Sequence, residues 1–462
     1  MFFILDKFIL KGWNYAVRIS LSKNFGISVA ERIKQLKMNL PKVREDPIIM
    51  KLDTLEFKSV FTEELQILSA MFQRHGYELR IAGGAVRDLL MGQKPKDLDF
   101  ATTATPIEMK SMFEKENVRM INMNGEKHGT ITPRINDKEN FEVTTLRIDV
   151  VTDGRHAEVQ FTTDWLLDAL RRDLTINSMF LGLDGSVYDY FYGYDDLKKK
   201  RVVFVGSATT RIQEDYLRIL RYFRFYGRIA TEADNHEIIT LNAIRENASG
   251  MEKISGERIW SELKKILEGN FAGHLMVKIV ECNLSSYIGL PNKPNVDELK
   301  RVWSRSGHLH LHSITLLSSL LNTIEDAATL NARLKLSAFD RDLAIFIVEH
   351  RLPKLHSKPL LPYQQLVVKS KLKPSVIKNY VKEVLKYNNS SYLNEFESWN
   401  IPKFPISGAM LKNEGVESGR LMGFVMQELK NRWADSDFSI SVEELLKYIP
   451  EVSSHFVPRR NK

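Results

Sequence analysis

The sequence predicts an α+β protein, a mixed sheet with helices followed by an elongated all-α remainder. Three observations lead there. From about 48 to 180, strand-like runs alternate with short helical ones; after about 195 the apolar spacing is helical to the end; and 462 residues exceed one ordinary core. An apolar share of 43% with 27% charged residues is ordinary for a globular chain and argues against a fibrous or disordered one. No long apolar run occurs, so no membrane partner is expected. Cys282 is the only cysteine, which excludes a disulfide framework or a Cys-based zinc site and fits a reducing compartment.

The elements follow in order. Residues 1–45 hold most of the net charge of +8: Lys7, Lys11, Arg18 and Lys23 alternate with aromatic and aliphatic residues, and Asp6 and Glu31 are the only acids before residue 45. This reads as a mitochondrial transit peptide. Met38 offers a second start that would give a cytoplasmic or nuclear form. "YELRIA" (77–82) reads as a strand, "AVRDLLM" as a helix straight after Gly83 and Gly84, and "DLDFAT" as a strand. Thr105 caps a helix whose first residue is Pro106. "GTITPRI" and "FEVTTLRI", separated by "NDKEN", read as a hairpin. In "EDYLRILRYFRF" the residues Asp215, Arg218, Arg221 and Arg224 recur every three positions of one helix among bulky apolar side chains. Proline and glycine breaks near 290–294, 352–363 and 402–408 divide the helical remainder. "HLHLH" (308–312) alternates like a strand, but no further ligand cluster supports a metal there.

Chemistry concentrates in "GGAVRDLLMGQKPKDLDF" (83–100). On a strand Asp97 and Asp99 share one face, with Leu98 and Phe100 on the other. Two close carboxylates ionise cheaply only with cations between them. Oxygen-only ligands suit Mg²⁺, which accepts substrate phosphates as further ligands. Gly83 and Gly84 let backbone N–H groups approach an anion at the start of the following helix, and Arg87 offers a planar donor fork for phosphate. Glu142, on the strand of "FEVTTLR", is a candidate third carboxylate.

With "RRDLTINSMF" (171–180), "EDYLRILRYFRFYGRI" (214–229) and "SGERIWSELKKIL" (255–267) downstream in the right order and spacing, the chain resembles the class II CCA-adding tRNA nucleotidyltransferases of the polymerase-β-like superfamily. Similarity runs from about 75 to 270 and looks closest to the animal mitochondrial form. The resemblance implies a nucleotidyltransferase head at 48–180, a helical neck at 181–270 and a tRNA-binding body and tail at 271–462. It implies addition of C, C and A to the tRNA 3′ end from CTP and ATP, with Mg²⁺ on Asp97 and Asp99. Arg172 would contact the nucleotide, with Asp173 and Asn177 near the ribose, and Arg221 and Arg224 would hold triphosphate charge. Asp215 and Arg218 would read the incoming base. Cytosine and adenine each offer an amino donor to the carboxylate and a ring acceptor to the guanidinium, whereas uracil reverses both contacts and is refused. Residues 114–129 correspond to a flexible element of the family, with Gly125 and Gly129 permitting movement.

The tRNA acceptor stem and elbow are the expected macromolecular partner; no obligate protein partner is indicated. Two rivals stand beside this reading. A bacterial-type poly(A) polymerase shares the head motifs but usually carries a "GRRF"-like segment where this chain has "INMNGEKHGTIT". A non-catalytic RNA-binding protein on the same fold would not need Asp97, Asp99, Arg172, Asp215 and Arg218 intact.

Overall fold

The computed structural model describes residues 40–121, 123–152, 157–352 and 356–456, with residues 34 and 36–38. Most of the expected leader therefore lies outside the described residues. The described residues pack as two compact units: those up to 231 with 236–247, and 232–235 with those from 248 onward.

In chain order the strands of the first unit are β1 (Ile48–Lys51), β2 (Leu79–Ala82), β3 (Asp99–Thr102), β4 (Arg119–Ile121), β5 (Thr130–Ile135), β6 (Glu139–Asn140), β7 (Glu142–Thr145), β8 (Arg147–Thr152), β9 (Ala157–Phe161), β10 (Phe180–Gly182) and β11 (Ser186–Tyr188). Nine of them form one sheet in the order β1-β11-β10-β2-β3-β7-β5-β4, with β6 beside β5; β8 and β9 make a separate ladder. The sheet is mixed: β2 runs antiparallel to β3, and β3 runs parallel to β7. That parallel register sets Asp99 beside Glu142 and Phe100 beside Val143. Phe100 and Val143 go into the core, where Phe100 meets Phe141 edge-on at 5.8 Å, so the two acids are left on the outer face.

Helices of this unit include α1 (Leu55–Lys58), α2 (Glu63–Arg74), α3 (Gly84–Leu90), α4 (Pro106–Lys115), α5 (Trp165–Leu170), α6 (Gly193–Lys198), α7 (Ala208–Glu214), α8 (Arg218–Ile229) and α9 (Ile238–Glu246). The start of α4 is as expected: Thr105 and Glu108 cap each other reciprocally and Pro106 opens the helix. The expected hairpin also forms, with Asn136 and Asp137 supplying the positive-φ turn.

Three expectations need correction. Asp97 is not on the strand, because β2 gives way to the Gly83 turn and β7 begins only at Glu142, so no neighbouring strand reaches residue 97. "FEVTTLRI" is two strands, for at Leu146 the chain leaves the sheet and β8 pairs with β9 instead. "EDYLRILRYFRF" is not one helix either. Asp215 is extended (φ −151°), its side chain accepts the Leu217 N–H at 3.1 Å and its carbonyl accepts that of Arg218 at 2.9 Å. An aspartate that can satisfy backbone donors this way competes with the helix and starts a new one.

A short strap precedes β1. Leu36, Leu40 and Val43 pack against a core of Ala82, Leu146, Trp165 and Phe180, and Pro41 lies on Gly206. Arg44 pairs with Asp195 and, at 3.4 Å, with the buried Asp189, while its guanidinium lies over Tyr192. The stretch 40–45, counted with the leader above, is thus part of the fold.

The second unit is helical throughout its described residues, with long helices at Gly256–Leu267, Ala338–His350, Pro374–Tyr387 and Arg420–Asp435. Val425, Leu429, Trp433, Leu445 and Val452 gather into one of its cores. Gly256 admits no side chain, since a Cβ there would stand 2.0 Å from the Arg333 carbonyl oxygen. "HLHLH" is a tight turn, not a strand, and His312 caps the helix Ser313–Ser318. Among the described residues no helix is long and apolar enough to cross a membrane.

Candidate nucleotide-binding and metal site

The site begins at the turn between β2 and α3. Gly83 has φ 65° and ψ −120°, a conformation that L-residues avoid, and a Cβ there would stand 3.0 Å from Nη1 of Arg172. The glycine lets that guanidinium sit directly over the backbone that opens α3. Arg172 also lies over the Phe180 ring at 4.8 Å and donates to the Asn177 carbonyl at 3.4 Å.

Asp97, in the loop that leads into β3, and Asp99 and Glu142, the first residues of β3 and β7, are all exposed. Poor hydration in the cleft raises the Asp99 carboxyl above its ordinary range; Glu142 adds to the rise, Arg172 opposes it, and Asp97 adds a smaller push. Carboxylates are thus crowded with one nearby arginine to balance them, a set short of positive charge. Among the described residues no three His, Cys, Asp or Glu side chains converge into a closed metal cage. The oxygen donors present fit a hard divalent ion that takes one or two carboxylates and completes its shell with water and substrate phosphates.

Behind the turn runs a buried polar row. Arg87 is 2% exposed, and its guanidinium donates to Asp88 Oδ1 at 2.8 and 3.0 Å and to Asn177 Oδ1. The structure therefore corrects its expected use as an open phosphate fork: it is committed to holding Asn177. Asn177 in turn donates to Asp173 at 3.4 Å, and Asp173 accepts from the Leu174 N–H at 2.8 Å and Arg221 Nε at 2.6 Å. Burial alone would raise the Asp173 carboxyl, but Arg221 and these donors hold it down to about 2. Arg87, Arg221 and Arg224 gather round the Phe225 ring, their guanidiniums 4.9, 5.5 and 4.3 Å from its centre.

Arg218, half-buried at the first turn of α8, joins this row from the other side. It donates to Glu214 at 2.6 Å, to the Arg211 carbonyl at 3.0 Å and to the Arg171 carbonyl at 2.7 Å, one residue from Arg172. Asp215 stands in the turn just before it. All thirteen candidate site residues lie in the first unit, and Arg218 adjoins the segment that carries Arg172.

Two residues were overlooked. Asp168 is 1% exposed and takes donors from Arg171 at 2.8 Å, Arg172 at 3.0 Å and the Arg147 N–H at 3.1 Å. Glu214 pairs with Arg211 at 2.7 Å as well as with Arg218. Each acid stands four residues before its arginine, a helix spacing that could have revealed both. The segment Met123–His128 forms a short 3-10 turn held at Glu126 by Lys110, 2.9 Å away, and at its last residue by Arg147, which donates to the His128 carbonyl.

Such a glycine turn beside paired acids, on a mixed sheet with a helical extension, defines a nucleotidyltransferase head. A family profile described as "Poly A polymerase head domain" matches residues 79–203, and one described as "Probable RNA and SrmB- binding site of polymerase A" matches 237–292. The "CCA tRNA nucleotidyltransferase 1, mitochondrial" of Danio rerio is 54% identical over 87% of this chain and 94% of its own length, and that of Homo sapiens is 52% identical over 87% and 93%. The chain belongs to the CCA tRNA nucleotidyltransferase family. Its fold matches that of the Bacillus stearothermophilus CCA-adding enzyme in complex with CTP, with a TM-score of 0.65 at 22% identity over 86% of this chain and 98% of that one. Nucleotidyltransferases of this family normally use divalent metal ions.

Proposed function

We propose that the chain adds C, C and A to the 3′ end of tRNA, taking CTP and ATP and releasing pyrophosphate, with Asp97 and Asp99 as ligands of Mg²⁺ and Glu142 as a third carboxylate beside them. The observation that carries this reading is the register of β3 and β7, which sets Asp99 beside Glu142 while Arg172 lies over Gly83. Mg²⁺ bound there would activate the tRNA 3′-hydroxyl for in-line attack on the α-phosphate and stabilise the departing pyrophosphate.

The protein's own part is positioning and charge. The Gly83 N–H is taken by the Met179 carbonyl at 3.1 Å, which leaves the Gly84 N–H, at the N-terminal end of α3, to meet an incoming phosphate, with Arg172 closing over it. Asp173 and Asn177 shape the wall near the ribose, and Arg87 keeps Asn177 in place. Arg221 and Arg224 supply positive charge for the triphosphate. Asp215 and Arg218 choose the base, which requires Arg218 to exchange part of its carbonyl contacts for the base edge. The helices of 271–462 form the body and tail that grip the acceptor stem and elbow, residues 181–270 the neck, and 48–180 the head. We read the segment before residue 34 as a mitochondrial leader and Met38 as an alternative start for a cytoplasmic or nuclear form.

The test is incorporation into a tRNA that lacks its 3′ end. Addition that stops after three nucleotides supports the proposal, and an open-ended run of A from ATP alone would refute it.

A further inference from the structure

We propose that Asp168 is a positioning residue for nucleotide binding: from behind the site, it fixes the guanidinium of Arg172 over the Gly83 turn. This rests on the reading above that Arg172 contacts the nucleotide.

The geometry divides the carboxylate between two arginines. Oδ1 accepts from Nε and Nη2 of Arg171, at 2.8 and 2.7 Å, and from the Arg147 N–H at 3.1 Å. Oδ2 accepts from Nε and Nη2 of Arg172, at 3.3 and 3.0 Å. Of the Arg172 donors, that leaves Nη1 beside Gly83, with a 3.4 Å bond to the Asn177 carbonyl. A side chain with several rotatable bonds is thereby held along one edge by Asp168, with Nη1 over the Gly83 turn and its charge felt at Asp99. A planar fork held along one edge loses little further freedom when its free edge meets a phosphate.

Charge points the same way. Asp168 is 1% exposed, and Arg171, Arg172 and Arg147 all lie around it. Burial alone would raise its carboxyl, but Arg171 and then Arg172 hold it below the ordinary range, so it stays ionised. Burial and the neighbouring Arg171 bring Arg147 down to about 10, a sign of how crowded with positive charge this corner is. Without the carboxylate, Arg171 and Arg172 would repel each other, and Arg172 would lose the only carboxylate that its guanidinium is seen to bond. Asp168 touches no open part of the cleft itself; it acts through the arginine.

The experiment compares full-length wild type with Asp168→Asn, Asp168→Glu, Arg172→Ala and the double variant Asp168→Asn/Arg172→Ala, using tRNA that lacks its 3′ end. In Asp168→Asn the KM for both CTP and ATP is expected to rise about tenfold, in line with the loss of other supporting partners. The KM for tRNA should stay within about twofold, and Asp168→Glu, which keeps the charge, should recover part of the loss. In the double variant the KM should equal that of Arg172→Ala, because the effect runs through Arg172. An Asp168→Asn penalty that persists in full on the Arg172→Ala background, or an unchanged nucleotide KM in Asp168→Asn, would overturn the proposal. An unchanged nucleotide KM in Arg172→Ala would instead remove the assignment of Arg172. Should Asp168→Asn fail to fold, Asp168→Glu carries the same test: it lengthens the side chain by one carbon, so a nucleotide KM identical to wild type would show that the aim of Arg172 is immaterial.

Discussion

Replacing Gly83 by alanine tests the turn on which the site is built. At φ 65° and ψ −120° an alanine is strained by about 1–3 kcal/mol. Its Cβ would also stand 3.0 Å from Arg172 Nη1, so the guanidinium must give way by a few tenths of an ångström. It can do so, being the end of a flexible side chain, but only by moving within the grip of Asp168. Both effects have readouts. Strain of that size lowers the thermal midpoint by roughly 2–10 °C in a unit this large. The displaced arginine raises the KM for CTP and ATP by about tenfold, since an ångström of misplacement costs about a hundredfold. Gly84 provides the control: it has no positive φ, and its Cβ would meet Arg87 Nη2 at an ordinary 3.6 Å. Gly84→Ala lies in helix α3 and should be neutral or stabilising by up to about 1 kcal/mol. Equal melting losses in the two variants, or a Gly83→Ala protein that melts and binds nucleotide like wild type, would refute the reasoning.

Three further outcomes are expected. Asp97→Ala or Asp99→Ala abolishes addition of both nucleotides while tRNA binding, read by filter retention, survives; robust incorporation in either variant would remove the metal assignment. Arg218→Ala weakens discrimination against UTP more than it weakens CTP binding, and unchanged discrimination in competition assays would count against base reading. Asp173 has its folded pKa near 2, below the ordinary 3.8, so its contribution is complete above about pH 4 and fades as pH falls through 2. The shift corresponds to roughly 2 kcal/mol, so Asp173→Asn should melt well below wild type at pH 7, with the gap closing towards pH 2. A gap that stays constant with pH would contradict the pairing with Arg221.

Much of the site was legible because its residues announce local geometry. Two adjacent glycines after an apolar run mark a backbone turn, and Thr105 before Pro106 marks a helix start; both depend on neighbours in the chain. The rest was hidden because it depends on what lies across space. Asp97 looked like a strand residue until the sheet showed that no partner reaches it. Arg87 has the chemistry of a phosphate ligand, and only burial against Asp88 and Asn177 reveals that its donors are taken. The break at Asp215 was masked by a continuous helical pattern of apolar residues on both sides. Asp168 was readable by spacing alone, but a single acid in an apolar helix draws no notice until two arginines are seen to converge on it.

The strap at 36–44 limits how far the front of this polypeptide can be trimmed. A peptidase cutting upstream of Leu36 would leave the strap itself untouched. One cutting past Val43 would strip Pro41 from Gly206 and bare the apolar floor beneath, and the loss of one more residue would take Arg44 from Asp189. The start proposed at Met38 would fall between these limits, forfeiting Leu36 but keeping Leu40, Val43 and Arg44. Were the leader proposed above cut away past Val43, the error would be felt as a loss of stability before any loss of chemistry.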